Sequence, residues 1–124
     1  MVLVDTSVWI RALASRGDYK TELDRLLDLN LAAGHELVYG ELLIGDRGGR
    51  QRLLADYKLM RHARRAPHDE VVALVQYRGL HGRGASWIDI HLLASALAER
   101  MTLWTADEHL AVLSKELGVA YRPR

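Results

Sequence analysis

The chain has 124 residues, 49% of them apolar and 27% charged, with no cysteine and a formal net charge of +1. This size fits one domain, 1–124, with a single buried core. The missing thiols exclude disulfides, thiolate metal sites and a cysteine nucleophile.

No apolar run reaches the length of a membrane span. Met1-Val2-Leu3-Val4 meets a charge at Asp5 and lacks the basic start and long apolar stretch of a signal peptide. A soluble, cytoplasmic protein with no membrane partner is therefore expected.

Val2-Leu3-Val4 reads as a buried strand. Thr6 to Ala14 carries apolar residues at helical spacing, and Arg16-Gly17-Asp18 is a turn signal. Leu23, Leu26, Leu27 and Leu31 predict a helix over Tyr19 to Ala33, closed by Gly34 as a C-cap. Leu37-Val38-Tyr39 reads as a second strand, followed by a short helix from Glu41 to Ile44 and a loop over Asp46 to Gly49. Arg50 to Met60 is a further helix. His62 to Ala66 fits an edge strand or a loop.

Pro67-His68-Asp69-Glu70 starts the next helix, and the glycines from Gly79 to Gly84 mark a loop. Ser86 to Arg100 is the clearest helix. Met101 to Trp104 reads as a strand, Ala106 to Leu117 as a helix closed by Gly118, and Val119-Ala120-Tyr121 as a last strand. Strands alternating with helices predict an α/β sandwich on a mainly parallel sheet.

Four acids stand where acids are unusual. Asp5 follows the first strand, Glu41 the second and Asp107 the third, at the carboxyl edge where open parallel sheets form ligand crevices. Asp89 lies between Ile88 and Ile90 near the start of its helix. Singly, each has a plainer role as an N-cap or as a carboxylate favoured by a helix dipole. Gathered in one crevice they would repel one another unless some took up protons or a cation joined them. The six histidines are scattered and none pairs at metal-ligand spacing. An all-oxygen site for Mg²⁺ or Mn²⁺ follows from the donor chemistry.

The same residues carry a resemblance. Val2-Leu3-Val4-Asp5-Thr6-Ser7-Val8-Trp9-Ile10 resembles the opening of a PIN-domain ribonuclease of the VapC type. Glu41-Leu42-Leu43-Ile44-Gly45, the stretch Trp87 to Ala96 around Asp89, and Leu103-Trp104-Thr105-Ala106-Asp107 resemble that family's further acidic motifs, in order.

The resemblance implies a three-layer α/β/α sandwich around a mainly parallel sheet of four to five strands. It implies a Mg²⁺ or Mn²⁺ site at Asp5, Glu41, Asp89 and Asp107. Asp5 and Asp89 match its metal-ligand positions, and Glu41 and Asp107 act through water. Thr6, Ser7 and Thr105 match its supporting hydroxyls, with plain capping as the competing role. It also implies an RNA substrate, a VapB-like antitoxin, and a homodimer that can extend to a larger toxin–antitoxin assembly. Trp9, Leu13 and Leu27 face such a partner or fill the core.

Seven basic residues between Arg47 and Arg65 accompany one acid, Asp56. With Arg83 in the glycine-rich loop, Arg47, Arg50, Arg64 and Arg65 are candidate RNA contacts; a solvated helix face is the competing reading. A phosphoryl-aspartate enzyme is a weaker reading, because Ser7 stands where a second aspartate belongs. Neither Gly45-Asp46-Arg47-Gly48-Gly49-Arg50 nor Gly82-Arg83-Gly84 completes a nucleotide-binding motif. A non-catalytic binding module and a DNase of the same fold remain open alternatives.

Overall fold

The computed structural model describes residues 1–123; Arg124, the last residue of the expected domain span, lies outside the described residues. Three short strands, β1 (Val2–Val4), β2 (Ala32–Ala33) and β3 (Thr102–Trp104), form a parallel sheet in the order β2-β1-β3. Seven helices flank it: α1 (Thr6–Leu13), α2 (Gly17–Asp28), α3 (Glu36–Ile44), α4 (Gln51–Leu59), α5 (His68–Arg78), α6 (Trp87–Glu99) and α7 (Glu108–Glu116). The connections β1–β2 and β2–β3 run in opposite directions along the sheet. Right-handed crossovers therefore put α1–α2 and α3–α6 on opposite faces, the three-layer arrangement expected.

β1 is central because all three of its residues are buried, as a strand covered on both faces must be. Val2 stands opposite Ala32 and Thr102, and Leu3 opposite Ala33 and Leu103. Asp5 N–H donates to Trp104 O, so the chain leaving β1 stays tied to the end of β3. The strand order reverses at β1, and Asp5 follows its carboxyl end, the place where open parallel sheets form ligand crevices. α6 is buried at every position from Ile90 to Ala96, which marks it as an interior helix rather than a surface one. Leu3, Val4, Val8, Leu42, Leu92, Leu93 and Leu110 are wholly buried and join both layers to the sheet.

Three expectations need correction. The sheet has three strands where four to five were expected: the pairings at its two edges shrink to single bridges, Gly34 with His62 and Leu103 with Ala120. The second helix ends at Asp28 rather than Ala33. Asn30 takes a positive φ of 55° and, with Leu31 N–H bonded to Leu26 O and Asn30 N–H to Leu27 O, forms a Schellman stop. Gly34 is therefore not its cap. Leu37-Val38-Tyr39 is helical, not a strand, because His35 caps α3: its Nδ1 accepts from Leu37 N–H at 3.1 Å. A short apolar run suits a buried strand and a buried helix equally, and here the cap decides. β2, two residues of alanine, takes the strand's place.

Trp9 is core, Leu27 packs against the core, and Leu13 is exposed at 39%. Among the described residues no helix is long and apolar enough to cross a membrane.

Candidate functional site

Asp5 occupies the N-cap position of α1, but its side chain makes no capping bond. The carboxylate is buried, and Oδ2 accepts from Ser7 Oγ at 2.6 Å and from Thr105 Oγ1 at 2.8 Å. Each hydroxyl thus spends its only hydrogen on Asp5. Their oxygens accept in turn, Ser7 Oγ from Ala106 N–H and Thr105 Oγ1 from Asp107 N–H. Backbone amides of the β3–α7 connection therefore aim both hydroxyls, and the hydroxyls fix Oδ2. Oδ1 accepts no hydrogen bond among the described residues.

Glu41 sits inside α3, not after a strand as expected. Thr6 Oγ1 donates to its Oε1 at 2.6 Å, linking the first turn of α1 to α3. Burial pushes the Glu41 carboxyl up; the Thr6 bond opposes this, and the charges of Asp5 and Asp89 add to it. The Asp89 carboxyl is pushed up as well, first by burial, against the hydrogen bonds from Ser86, and further by Asp5 and Asp107. Through these repulsions the four acids form one electrostatic group. No lysine or arginine pairs with any of them among the described residues; the one partner is His109, whose Nδ1 lies 3.9 Å from Asp107.

Two of the four are also helix caps, the plainer role weighed for them. Asp107 Oδ1 accepts from Leu110 N–H and caps α7. Asp89 completes a capping box on α6: Ser86 N–H donates to Asp89 Oδ2 at 2.9 Å, and Asp89 N–H to Ser86 Oγ at 3.1 Å. Among the described residues no three acid or histidine side chains close around a point that would hold a metal ion. The donors fit a hard dication in chemistry and in unbalanced charge, while Asp89 and Asp107 are turned to their own helix ends.

The helices bearing Glu41 and Asp89 are joined beneath the site. His35 is wholly buried, and because its Nδ1 accepts from Leu37, its Nε2 carries the hydrogen and donates to Ser95 Oγ of α6 at 2.9 Å. Burial pushes this imidazole down to about 4, so it is neutral near pH 7. Sequence reading missed this support. A buried histidine within an apolar stretch is the available signal, but its partner is 60 residues away.

The basic residues do not touch the acids. Arg65 pairs with Glu36 at 3.3 Å and Arg83 with Glu116 at 2.6 Å, both at exposed positions. Arg64 N–H donates to Glu99, Arg47 is exposed, and Arg50 Nη1 is buried without a partner among the described residues.

A family model described as the PIN domain matches residues 2–116. The ribonuclease VapC32 of two Mycobacterium tuberculosis strains is 40% identical over 121 residues, covering 97% of this chain and 95% of the relative. The crystal structure of PAE2754 from Pyrobaculum aerophilum superposes with a TM-score of 0.62 at 20% identity, covering 97% of this chain and 87% of that one. At that identity the likeness speaks for the fold alone.

Proposed function

The chain belongs to the VapC group of the PIN-domain family, and from that premise we propose that it is a divalent-metal-dependent endoribonuclease, the toxin half of a toxin–antitoxin pair that curbs translation or growth. The observation that carries this reading is that Asp5, Glu41, Asp89 and Asp107 lie near enough to act on one another's charge, while no arginine or lysine among the described residues pairs with any of them. The protein acts as one domain over residues 1–124, in the cytoplasm.

Mg²⁺ or Mn²⁺ is the cation this donor set suits; Asp5 and Asp89 would hold it directly, and Glu41 and Asp107 through water. When bound, such an ion orients the scissile phosphate, neutralises developing charge and lowers the pKa of a water. The chain's own residues do the rest. Ser7 and Thr105 hold Asp5 Oδ2, so Oδ1, which accepts no hydrogen bond among the described residues, is the atom that would ligate a cation. Thr6 holds Glu41 Oε1 and leaves Oε2 to take the proton of the attacking water. Attack at phosphorus forms one P–O bond and breaks the bond to the 3′-oxygen, which takes a proton from solvent, leaving a 5′-phosphate and a 3′-hydroxyl. Arg47, Arg50, Arg64, Arg65 and Arg83 contact the RNA backbone, the exposed pairs of Arg65 with Glu36 and Arg83 with Glu116 being weak enough to exchange for phosphate.

Ile10 and Leu13 on α1 and Leu43 and Ile44 on α3 leave apolar surface exposed on two helices in contact. This supports a protein partner beside the acids, the cognate VapB-like antitoxin, with a homodimer formed elsewhere on the surface.

Cleavage of matched RNA and DNA oligonucleotides, with Mg²⁺ and with excess EDTA, tests the reading on wild type and Asp5→Asn. RNA cleavage that needs Mg²⁺ and disappears in Asp5→Asn is expected. Undiminished cleavage by the variant, or in EDTA, would sink the mechanism; preferential cleavage of DNA would sink the substrate assignment.

A further inference from the structure

A groove of about 730 Å³ opens at Thr105, the residue whose hydroxyl holds Asp5. That volume lies within the range of small-molecule sites. Three aromatic rings line it. Trp104 forms the buried floor; Tyr19 lies nearly parallel to it, 17° between planes and 6.2 Å between centroids; and Tyr121 meets it at 5.6 Å. Tyr19 and Tyr121 are half-buried, so part of each ring faces the groove.

Beside the hydroxyls of Thr21 and Thr105, two carboxylates stand along the wall. Asp18 is exposed, and Glu22 is a buried carboxylate bonded by Arg25 and by the Tyr121 hydroxyl. Among the described residues none lining the groove is a lysine or an arginine; Arg25 bonds Glu22 and Tyr121, and Arg11 lies 5.7 Å from the Tyr19 ring centroid. Two carboxylates, Asp18 and Glu22, stand on the groove wall and do not suit a phosphate. The groove suits a flat ring that stacks on aromatic faces and carries amine hydrogens on its edge.

Resting on the ribonuclease reading, we propose that this groove is a nucleobase subsite, which takes one base splayed from single-stranded RNA beside the scissile phosphate and favours an amine-bearing base over uracil. Continuity through Thr105 argues for it: the phosphate lies with the acids and their cation, and the attached base turns into the aromatic groove. Single-stranded RNA is commonly read this way, by bases stacked on aromatic side chains and bonded at their edges. A carboxylate accepting from the cytosine amino group is a known recognition pair, and uracil presents a carbonyl at the same place. Tyr19 is the stacking residue, and Asp18 is the acceptor without a partner among the described residues.

The test separates this groove from the cleavage site. Cytidine and uridine 5′-monophosphates, titrated into the full chain without a divalent metal, are followed by NMR at the Trp104 indole N–H and the Tyr19 ring. The cytidine nucleotide is expected to shift both signals saturably and to bind several-fold tighter than the uridine nucleotide. Tyr19→Leu should weaken it roughly tenfold, in line with alanine scans of base–aromatic stacking, and Tyr19→Phe should restore it. In cleavage assays, Tyr19→Leu should raise KM on a cytidine-containing oligonucleotide and leave kcat nearly unchanged. Shifts absent from these two residues, or full affinity in a folded Tyr19→Leu, overturn the proposal. Shifts confined to the groove in a protein that cleaves no RNA overturn the ribonuclease reading while leaving the pocket's chemistry in place. Displacement of a short peptide rather than a nucleotide from the groove also counts against it.

Discussion

Thr105 Oγ1 donates to Asp5 Oδ2 over 2.8 Å, across a sequence separation of 100 residues. The same oxygen accepts from Asp107 N–H, so one hydroxyl joins the ends of β1 and β3 to the cap of α7. Thr105→Val keeps the shape and removes the bond. Supporting hydrogen bonds of this kind are worth about 10–100-fold in metal affinity or activity. Thr105→Val should therefore need more Mg²⁺ for half-maximal cleavage and lose activity within that range, whereas Thr105→Ser should retain most of it. A magnesium titration of both variants checks this; equal behaviour of Val and Ser would leave Thr105 a merely structural role.

A second consequence concerns stability and pH. The folded-state pKa values of Glu41 and Asp89 lie above their unfolded ones, so between the two the native state binds more protons than the unfolded state. Stability from these groups is present at acid pH and falls as pH rises through the raised values. A dication reverses the loss by binding the ionised forms. The melting temperature of the metal-free protein should fall at this site on going from acid towards neutral pH, and Mg²⁺ should raise it at neutral pH far more than in acid. Glu41→Gln keeps an acceptor for Thr6 and removes a charge, so it should melt higher than wild type without metal and gain less from Mg²⁺. Calorimetry at two pH values, with and without metal, decides; a Glu41→Gln protein that melts lower contradicts the argument.

The separation of caps from chemistry gives a third test. Ser86 and Asp89 share one capping box, yet only Asp89 is assigned a role at the cation. Ser86→Ala should cost about 1 kcal/mol of stability, as loss of an N-cap side chain does. It should leave cleavage largely intact, since Asp89 keeps its carboxylate and its Ser86 N–H donor. Asp89→Asn should melt close to wild type and lose cleavage. Chemical denaturation beside an activity assay distinguishes the two; similar activity losses in both variants would mean that the cap, not the charge, is what the site requires.

These pairings show what the sequence reveals and what it conceals. Val2-Leu3-Val4 before Asp5, and Ile88 to Leu93 around Asp89, are legible because an acid beside buried apolar residues conflicts with local preference, and such conflicts mark functional sites. Ser7 and Thr105 are legible through motif position. Leu37-Val38-Tyr39 misleads because nothing in three apolar residues distinguishes a strand from a buried helix; His35 decides by capping, and histidine is not among the usual N-cap residues. Glu22 reads as one more acid on a polar helix face. Its burial against Tyr121 depends on a contact spanning 99 residues, which only the completed fold supplies.

The basic segment yields a prediction about salt. Arg65 and Glu36 pair at 3.3 Å with both side chains at least half exposed, an interaction worth about 0–1 kcal/mol. Charge reversal at Arg64 and Arg65 should therefore leave the melting temperature nearly unchanged. It should weaken RNA binding, and each lost phosphate contact should flatten the dependence of log affinity on log salt by about 0.7. Binding isotherms at several salt concentrations read both effects. If neither affinity nor slope changes, the segment is a solvated surface and the RNA path lies elsewhere.

The last prediction rests on His35, whose Nε2–H bond to Ser95 ties the helix of Glu41 to the helix of Asp89. Burial holds this imidazole at about 4 in the folded state, below the ordinary value of 6.5, so in that window the unfolded chain binds the extra proton. Stability is complete above the unfolded pKa and falls as pH drops from there towards the folded one. A shift of this size corresponds to a loss of about 3 kcal/mol across the window. His35→Gln, which retains a donor for Ser95 and does not titrate, should show a flatter acid limb than wild type, though it packs less well and starts from lower stability at neutral pH. Because the bond fixes two helices that carry acids, the variant should also need more Mg²⁺ for cleavage at neutral pH. Ser95→Ala keeps the imidazole and removes only its partner, so it should preserve the steep acid limb while sharing the magnesium defect. Urea unfolding from pH 7 to pH 4 on the three proteins separates the titration from the tether, and a His35→Gln protein with an undiminished acid limb would refute the assignment.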